Sequence, residues 1–219
     1  MFLGHFAVGF AAKRAAPETS LGVLLGGALL LDLLWPIFLL LGWEQVAIEP
    51  GNTAFTPLAF TSYPISHSLL AVLGWSVAAG AIYWSARRYP PGALIVGALV
   101  LSHWLLDAIT HRPDLPLYFT GGPRVGLGLW HSVPGTVLLE GVLFAAGVAI
   151  YVFGTRARDR FGRWALAALV LLLLLIYASN IAGPPPPNVM TLAIVALAAW
   201  LFPLWGAWID RHRRLERGT

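Results

Sequence analysis

The stretch ALIVGALVLSHWLLDAITH, residues 93–111, is apolar throughout except for a serine, a threonine, one carboxylate and two imidazoles. As a helix it rises about 28 Å, enough to cross the hydrocarbon core of a bilayer. His103, Asp107 and His111 follow one another at i+4 spacing, so they share one face. Working outward, further apolar runs of spanning length lie near Ser20–Gly42, Ser66–Trp84, His131–Phe153, Trp164–Ala182 and Val189–Ile209. The expected fold is therefore an all-α, polytopic membrane helical bundle. It has about six transmembrane helices and a short N-terminal half-helix over the first dozen residues, which are too few to cross.

The composition agrees. Hydrophobic residues make up 58% of the 219, charged residues only 11%, and mean hydropathy is +0.74, far from a soluble domain. A net charge of +4 and a pI near 9.9 might point to nucleic acid, but the basic residues are confined to short clusters between apolar runs, so no nucleic-acid partner is expected. Those clusters are Lys13 with Arg14, Arg87 with Arg88, Arg156 to Arg163, and Arg211 to Arg217. They alternate with basic-poor connections such as Trp43–Pro64 and the tetraproline at 184–187. The alternation predicts an inner-membrane protein of bacterial type with both termini cytoplasmic. An apolar stretch precedes Lys13 and Arg14, the reverse of a secretory leader, so the N-terminus is expected to stay in the mature protein. Trp35, Trp43, Trp84, Trp130 and Trp164 near span ends are expected at the interfaces, and Trp75 and Trp104 in the core. Gly22 and Gly26 predict a close helix contact. The absence of cysteine leaves only N and O ligands for any metal.

Ionisable groups inside apolar spans are costly unless they face the bundle interior and share a partner. His5, Asp32, His67, His103, Asp107, His111 and His131 form such a set. Counted at about 1.5 Å per residue, His5, Asp32 and His103 meet near mid-membrane, and a polar stripe climbs from there to a cavity open on the external side. The most economical shared partner is a cation. Each residue also has a plainer reading: His103 and Asp107 as a hydrogen-bonded helix pair, Asp32 as the cap of a helix break at Trp35-Pro36, and His67 as a rim histidine behind the cap Ser66. Asp114 and Arg112 follow the stripe, as ligand and anion receptor or as solvated loop residues. Glu140, about 13 Å along its span from His131, is a general acid or base, a ligand, or a structural partner. His212, in a basic tail, has no expected catalytic role.

With His5, Asp32, Ser66-His67-Ser68 and His103-x-x-x-Asp107 in place, the first 135 or so positions resemble the membrane-bound metal-dependent hydrolases, the family of YdjM-type inner membrane proteins. The chain has Leu31-Asp32-Leu33-Leu34 where that family often carries Pro-Asp-x-Asp, and Tyr63-Pro64-Ile65-Ser66-His67-Ser68 where it carries Arg-Gly-x-Thr-His-Ser. The order of histidines and aspartates is also similar to that of zinc-dependent phospholipase C and the single-strand nucleases. Those enzymes place a glutamate four residues after the last histidine, where this chain has Gly135. The resemblance implies a single membrane domain over 1–219, its core in 1–135 and additional helices in 136–219. It implies a divalent metal, zinc, as one or two ions held among His5, Asp32, His67, His103, Asp107, His111 and His131. Asp107, Glu140, Asp114 and Arg112 would assist hydrolysis of a phosphoester in a membrane lipid or lipid-linked substrate at the outer face. A transporter or ion-conducting protein using the same residues, and an assembly protein with a structural metal, are the competing readings.

Overall fold

A computed structural model describes residues 1–216. The helices are α1 (Leu3–Ala15), α2 (Leu21–Ala28), α3 (Leu30–Leu40), α4 (Pro64–His67), α5 (Leu69–Arg87), α6 (Pro90–Thr110), α7 (Val133–Gly154), α8 (Arg160–Ala182), α9 (Val189–Ala196) and α10 (Leu201–Arg211). Short 3-10 turns occupy Leu129–His131 and Leu197–Trp200. The helix α5, then α6, α7, α8 and the continuous run Val189–Arg211 are each long and apolar enough to cross a membrane, and α2 with α3 forms a sixth, bent pair. The chain is a multi-pass α-helical membrane protein. Val77, Leu94, Leu138, Leu171 and Leu204 point outward, as side chains facing lipid do.

Helix starts follow local chemistry. Ser20, Ser68, Ser132, Asp159 and Asn188 each accept a hydrogen bond from a backbone N–H three residues on, satisfying a donor the first turn leaves free. The cap of α5 is thus Ser68, not Ser66. The expected break at Trp35-Pro36 lies elsewhere: Pro36 is inside α3, and the 57° bend falls between α2 and α3 at Leu29. Proline removes only its own N–H, here the partner of the Asp32 carbonyl, and α3 continues through it.

One end of the bundle gathers the basic residues. Lys13 Nζ donates to Asp210 and to the Thr19 carbonyl, and Thr19 hydrogen-bonds Tyr83. The strand β5 (Thr155–Ala157) pairs with β6 (Arg213–Leu215), and Arg213 donates to Thr155 Oγ1, Thr155 O and Gly162 O at 2.9 Å each. His212 hydrogen-bonds Asp159 at 2.7 Å, which holds that carboxyl below its usual range. These contacts clasp the tail to the α7–α8 turn. Arg213→Ala leaves three acceptors without their charged donor, and we expect a loss of about 2 kcal/mol, read as a lowered thermal midpoint in detergent.

The opposite end is capped by two hairpins that no helical period announced: β1 (Gln45–Ile48) with β2 (Leu58–Ser62), and β3 (Leu115–Pro116) with β4 (Arg124–Val125). The segment Val46-Ala47-Ile48 and its partner Leu58-Ala59-Phe60 fold down onto Trp35, Tyr63 and Trp130. Trp35 and Trp130 are accordingly buried rather than interfacial, whereas Trp43, Trp84 and Trp164 are exposed as expected. Trp104 is buried, and Trp75 donates to the Ile65 carbonyl.

The N-terminal half-helix lies within the bundle, packed against α7, α2 and α6. Its C-terminal Lys13 and Arg14 reach the basic end, while Met1 is buried at the other. The apolar surface of Leu3, Phe6 and Phe10 is satisfied only in the core. Close approach is permitted at Gly147, where a Cβ would meet the Ala7 backbone. The helix α10 lies along α2 at Gly22, which faces Pro203 and Ala207, the predicted glycine contact. Helices after position 135 thus complete the bundle around α1 and α2.

Candidate metal centre

Four elements converge one to two turns from the capped end of α6. α6 supplies His103 and Asp107, α4 supplies His67, α3 supplies Asp32, and α1 supplies His5. His103 and Asp107 share a face at i+4. His67 lies in the single turn α4, immediately before Ser68 turns the chain into α5. His5, His67, His103 and Asp107 are each at most 3% exposed, while the Asp32 side chain is 40% exposed. Asp32 is the accessible side of the cluster.

Around His67 and His103 the imidazole-to-carboxylate separations are long. His67 Nε2 lies 3.7 Å from both Asp32 Oδ1 and Asp107 Oδ2. His103 Nε2 lies 3.6 Å from Asp32 Oδ1 and 3.3 Å from Asp107 Oδ2. These separations exceed a normal hydrogen bond of about 2.7 to 3.2 Å. The two separations at His103 fall within the edge of a tetrahedron on bonds of about 2.0 to 2.2 Å, about 3.3 to 3.6 Å, and the two at His67 lie just beyond it. His103 Nε2 is buried without a hydrogen-bond partner.

The tautomer of His103 follows from its other nitrogen, which lies 2.8 Å from the Ala28 carbonyl. A carbonyl only accepts, so Nδ1 carries the proton; in the neutral imidazole Nε2 then presents a lone pair to the two carboxylates, and in the imidazolium it donates to them. That carbonyl lies next to the α2–α3 bend, at the end of α2 where helices leave carbonyls unsatisfied. Lone pairs and carboxylates aimed at one point repel unless a cation lies between them.

His5 adds a fifth donor on the far side of Asp107. Its Nε2 is 3.1 Å from Asp107 Oδ1, its Nδ1 has no partner, and its ring stacks on His103 at 3.6 Å. The Met1 amino group also touches Asp107 Oδ1. Glu140 accepts the backbone N–H groups of Phe2 at 2.8 Å and Gly4 at 3.3 Å. Of its three readings, the geometry matches that of structural partner: it anchors the first turn of α1.

The stripe does not continue as drawn from the sequence. His111 ends α6 and turns away to Asp114 at 3.0 Å, packed on Trp130 and Phe60. Asp114 also accepts from Tyr63 and from Arg112 Nε. Arg112 is thereby committed, and Arg124 donates to the Thr61 carbonyl. His131 is exposed and belongs to neither donor group. The expected cavity over the stripe is replaced by a roof, because the two hairpins and the turn at 129–131 fold across the bundle end. His67, expected at the rim, is buried beneath it, with the Tyr63 ring 5.3 Å away.

Glu44 has no place in the sequence reading beyond marking an acidic loop. Its carboxylate is buried and accepts Ile65 N–H, Ser66 N–H and Ser66 Oγ–H at 2.8, 2.7 and 2.6 Å. No local pattern links it to Ser66, 22 residues away; the one available signal is a carboxylate in a loop without Lys or Arg.

No family model matches the chain, and no curated protein or solved structure matches it.

Proposed function

We propose that the cluster is a divalent-cation site suited to zinc, and that the protein is a metal-dependent hydrolase of a phosphoester in a membrane lipid or lipid-linked substrate. The observation that carries this reading is the pair of three-residue donor groups that share His103, Asp32–His67–His103 and His5–His103–Asp107, with imidazole-to-carboxylate separations of 3.1 to 3.7 Å. When bound there, zinc would supply Lewis acidity and a water of lowered pKa. His67, His103 and Asp107 are the buried holding set. Asp32, on the open side, is the group placed to orient an attacking water and take its proton. A second ion would take His5 Nε2 and Asp107 Oδ1 and displace the Met1 amino group from that oxygen.

The bent α2–α3 pair favours transport as a second reading, because broken helices line ion sites in transporters. There, unwound carbonyls face the ion; here the Ala28 carbonyl is taken by His103, so the bend serves to hold a ligand. The hydrolase reading predicts that the purified protein cleaves a chromogenic phosphodiester or a phospholipid, that chelation abolishes this and that zinc restores it. Stoichiometric zinc without hydrolysis of any such substrate would leave a structural metal, and metal-free protein with proton-coupled solute flux would make it a transporter.

In this reading the arginine-rich end faces the cytoplasm and the roofed end, nearer the site, lies on the outer side. Reporter fusions at Gly183 and Glu216 are expected on opposite sides; the same side for both would break the six-crossing arrangement.

A further inference from the structure

We propose that Glu44, acting through Ser66, is a positioning residue for the metal site: it fixes the His67 proton on Nδ1 and turns the Nε2 lone pair toward Asp32 and Asp107. The inference rests on reading the cluster as a metal site, and it concerns residues outside the donor set.

The reasoning is a proton count. A serine hydroxyl has one proton to donate. Ser66 Oγ lies 2.6 Å from Glu44 Oε2 and 2.7 Å from His67 Nδ1. A carboxylate only accepts, so the hydroxyl proton goes to Glu44. Toward His67 the same oxygen can then only accept, and Nδ1 must be protonated. Nε2, 3.7 Å from both aspartates, is left with its lone pair directed into the cluster. The arrangement parallels His103, whose proton is held on Nδ1 by the Ala28 carbonyl. Two histidines are thus set in the same tautomer by two unrelated acceptors. Carboxylate partners of this kind orient metal-binding imidazoles and raise their basicity.

A purely structural role for Glu44 is the competing account, since it also accepts the Ile65 and Ser66 N–H groups and ties the loop after α3 to α4. Glu44→Gln separates the two. The glutamine oxygen still accepts both backbone donors, but its amide nitrogen donates to Ser66 Oγ, which turns the hydroxyl proton onto His67 Nδ1 and moves the imidazole proton to Nε2.

The test uses the full chain in detergent, 15N-labelled at histidine, with zinc alone as the probe. In metal-free protein, His67 is expected to show a protonated Nδ1, and Glu44→Gln to switch it to a protonated Nε2. In chelator competition, Glu44→Gln is expected to weaken zinc binding about 10-fold to 100-fold. Ser66→Ala should weaken it as well, and the double variant should be no weaker than Ser66→Ala alone. Unchanged tautomer and unchanged affinity in Glu44→Gln would overturn the proposal and leave a structural cap. Should Glu44→Gln fail to fold, Ser66→Ala decides, because it keeps both backbone bonds to Glu44; an unaltered His67 tautomer and zinc affinity there overturn the proposal. A wild-type protein that takes no zinc while its His67 tautomer still depends on Glu44 would sink the metal reading and leave the positioning role standing.

Discussion

Asp107→Asn is expected to lower zinc affinity by about 100-fold or more and to remove hydrolysis with it. Its two oxygens face both halves of the cluster: Oδ1 lies against His5, and Oδ2 lies within 3.3 Å of His103 and 3.7 Å of His67. Changes one shell further out already cost about 10-fold to 100-fold in metal affinity, so a direct donor belongs at or beyond the top of that range. Asparagine keeps the shape of the side chain and its ability to accept from His5, and the fold should survive. Zinc titration of the variant, alongside its thermal midpoint, checks both halves of the expectation. Wild-type affinity in a stable Asp107→Asn protein would show that the carboxylates do not hold the ion.

The second large effect concerns Glu140. Glu140→Ala deprives the N–H groups of Phe2 and Gly4 of their acceptor inside the bundle. Each buried donor left unsatisfied costs about 1 to 3 kcal/mol, so the variant should lose about 2 to 6 kcal/mol. Because α1 carries His5, the loosened helix should also reduce whatever ion binding depends on that histidine. Glu140→Gln keeps an accepting oxygen and should retain most of the stability. Should Glu140→Ala prove as stable as wild type while Glu140→Gln abolishes turnover, Glu140 would be a proton-transfer group and not the anchor of α1.

Much of this site can be read from the chain, for a physical reason that also marks where the reading stops. Spans are legible because lipid demands long apolar runs, and His5, Asp32, His67, His103 and Asp107 are legible as one set because ionisable groups inside such runs require a common partner. Helical arithmetic brings His103 and Asp107 to one face and places Asp32 and His5 at a comparable depth. It gives no hold on His111 and His131, which lie where α6 ends and where a 3-10 turn ends. Beyond a helix end, direction is set by turn geometry, and His111 goes to Asp114 instead of the stripe. The roof over His67 is unreadable for the same reason, since short strands such as Val46-Ala47-Ile48 find partners ten or more residues away. Glu140 resists assignment because the helix it anchors lies 136 residues away in sequence. Leu29, where the chain bends and the Ala28 carbonyl turns to His103, carries no breaker residue. The nearest weak helix formers are Gly27 and Gly26, two and three residues before it.

The most direct measurement is the metal content and ligand shell of the protein purified without chelator, by elemental analysis and X-ray absorption at the zinc edge. At least one zinc per chain is expected, bound by nitrogen and oxygen only at about 2.0 to 2.2 Å, with an imidazole signature that is lost in His103→Ala. Protein that purifies without metal, and gains none on incubation with zinc while remaining folded, would contradict the site.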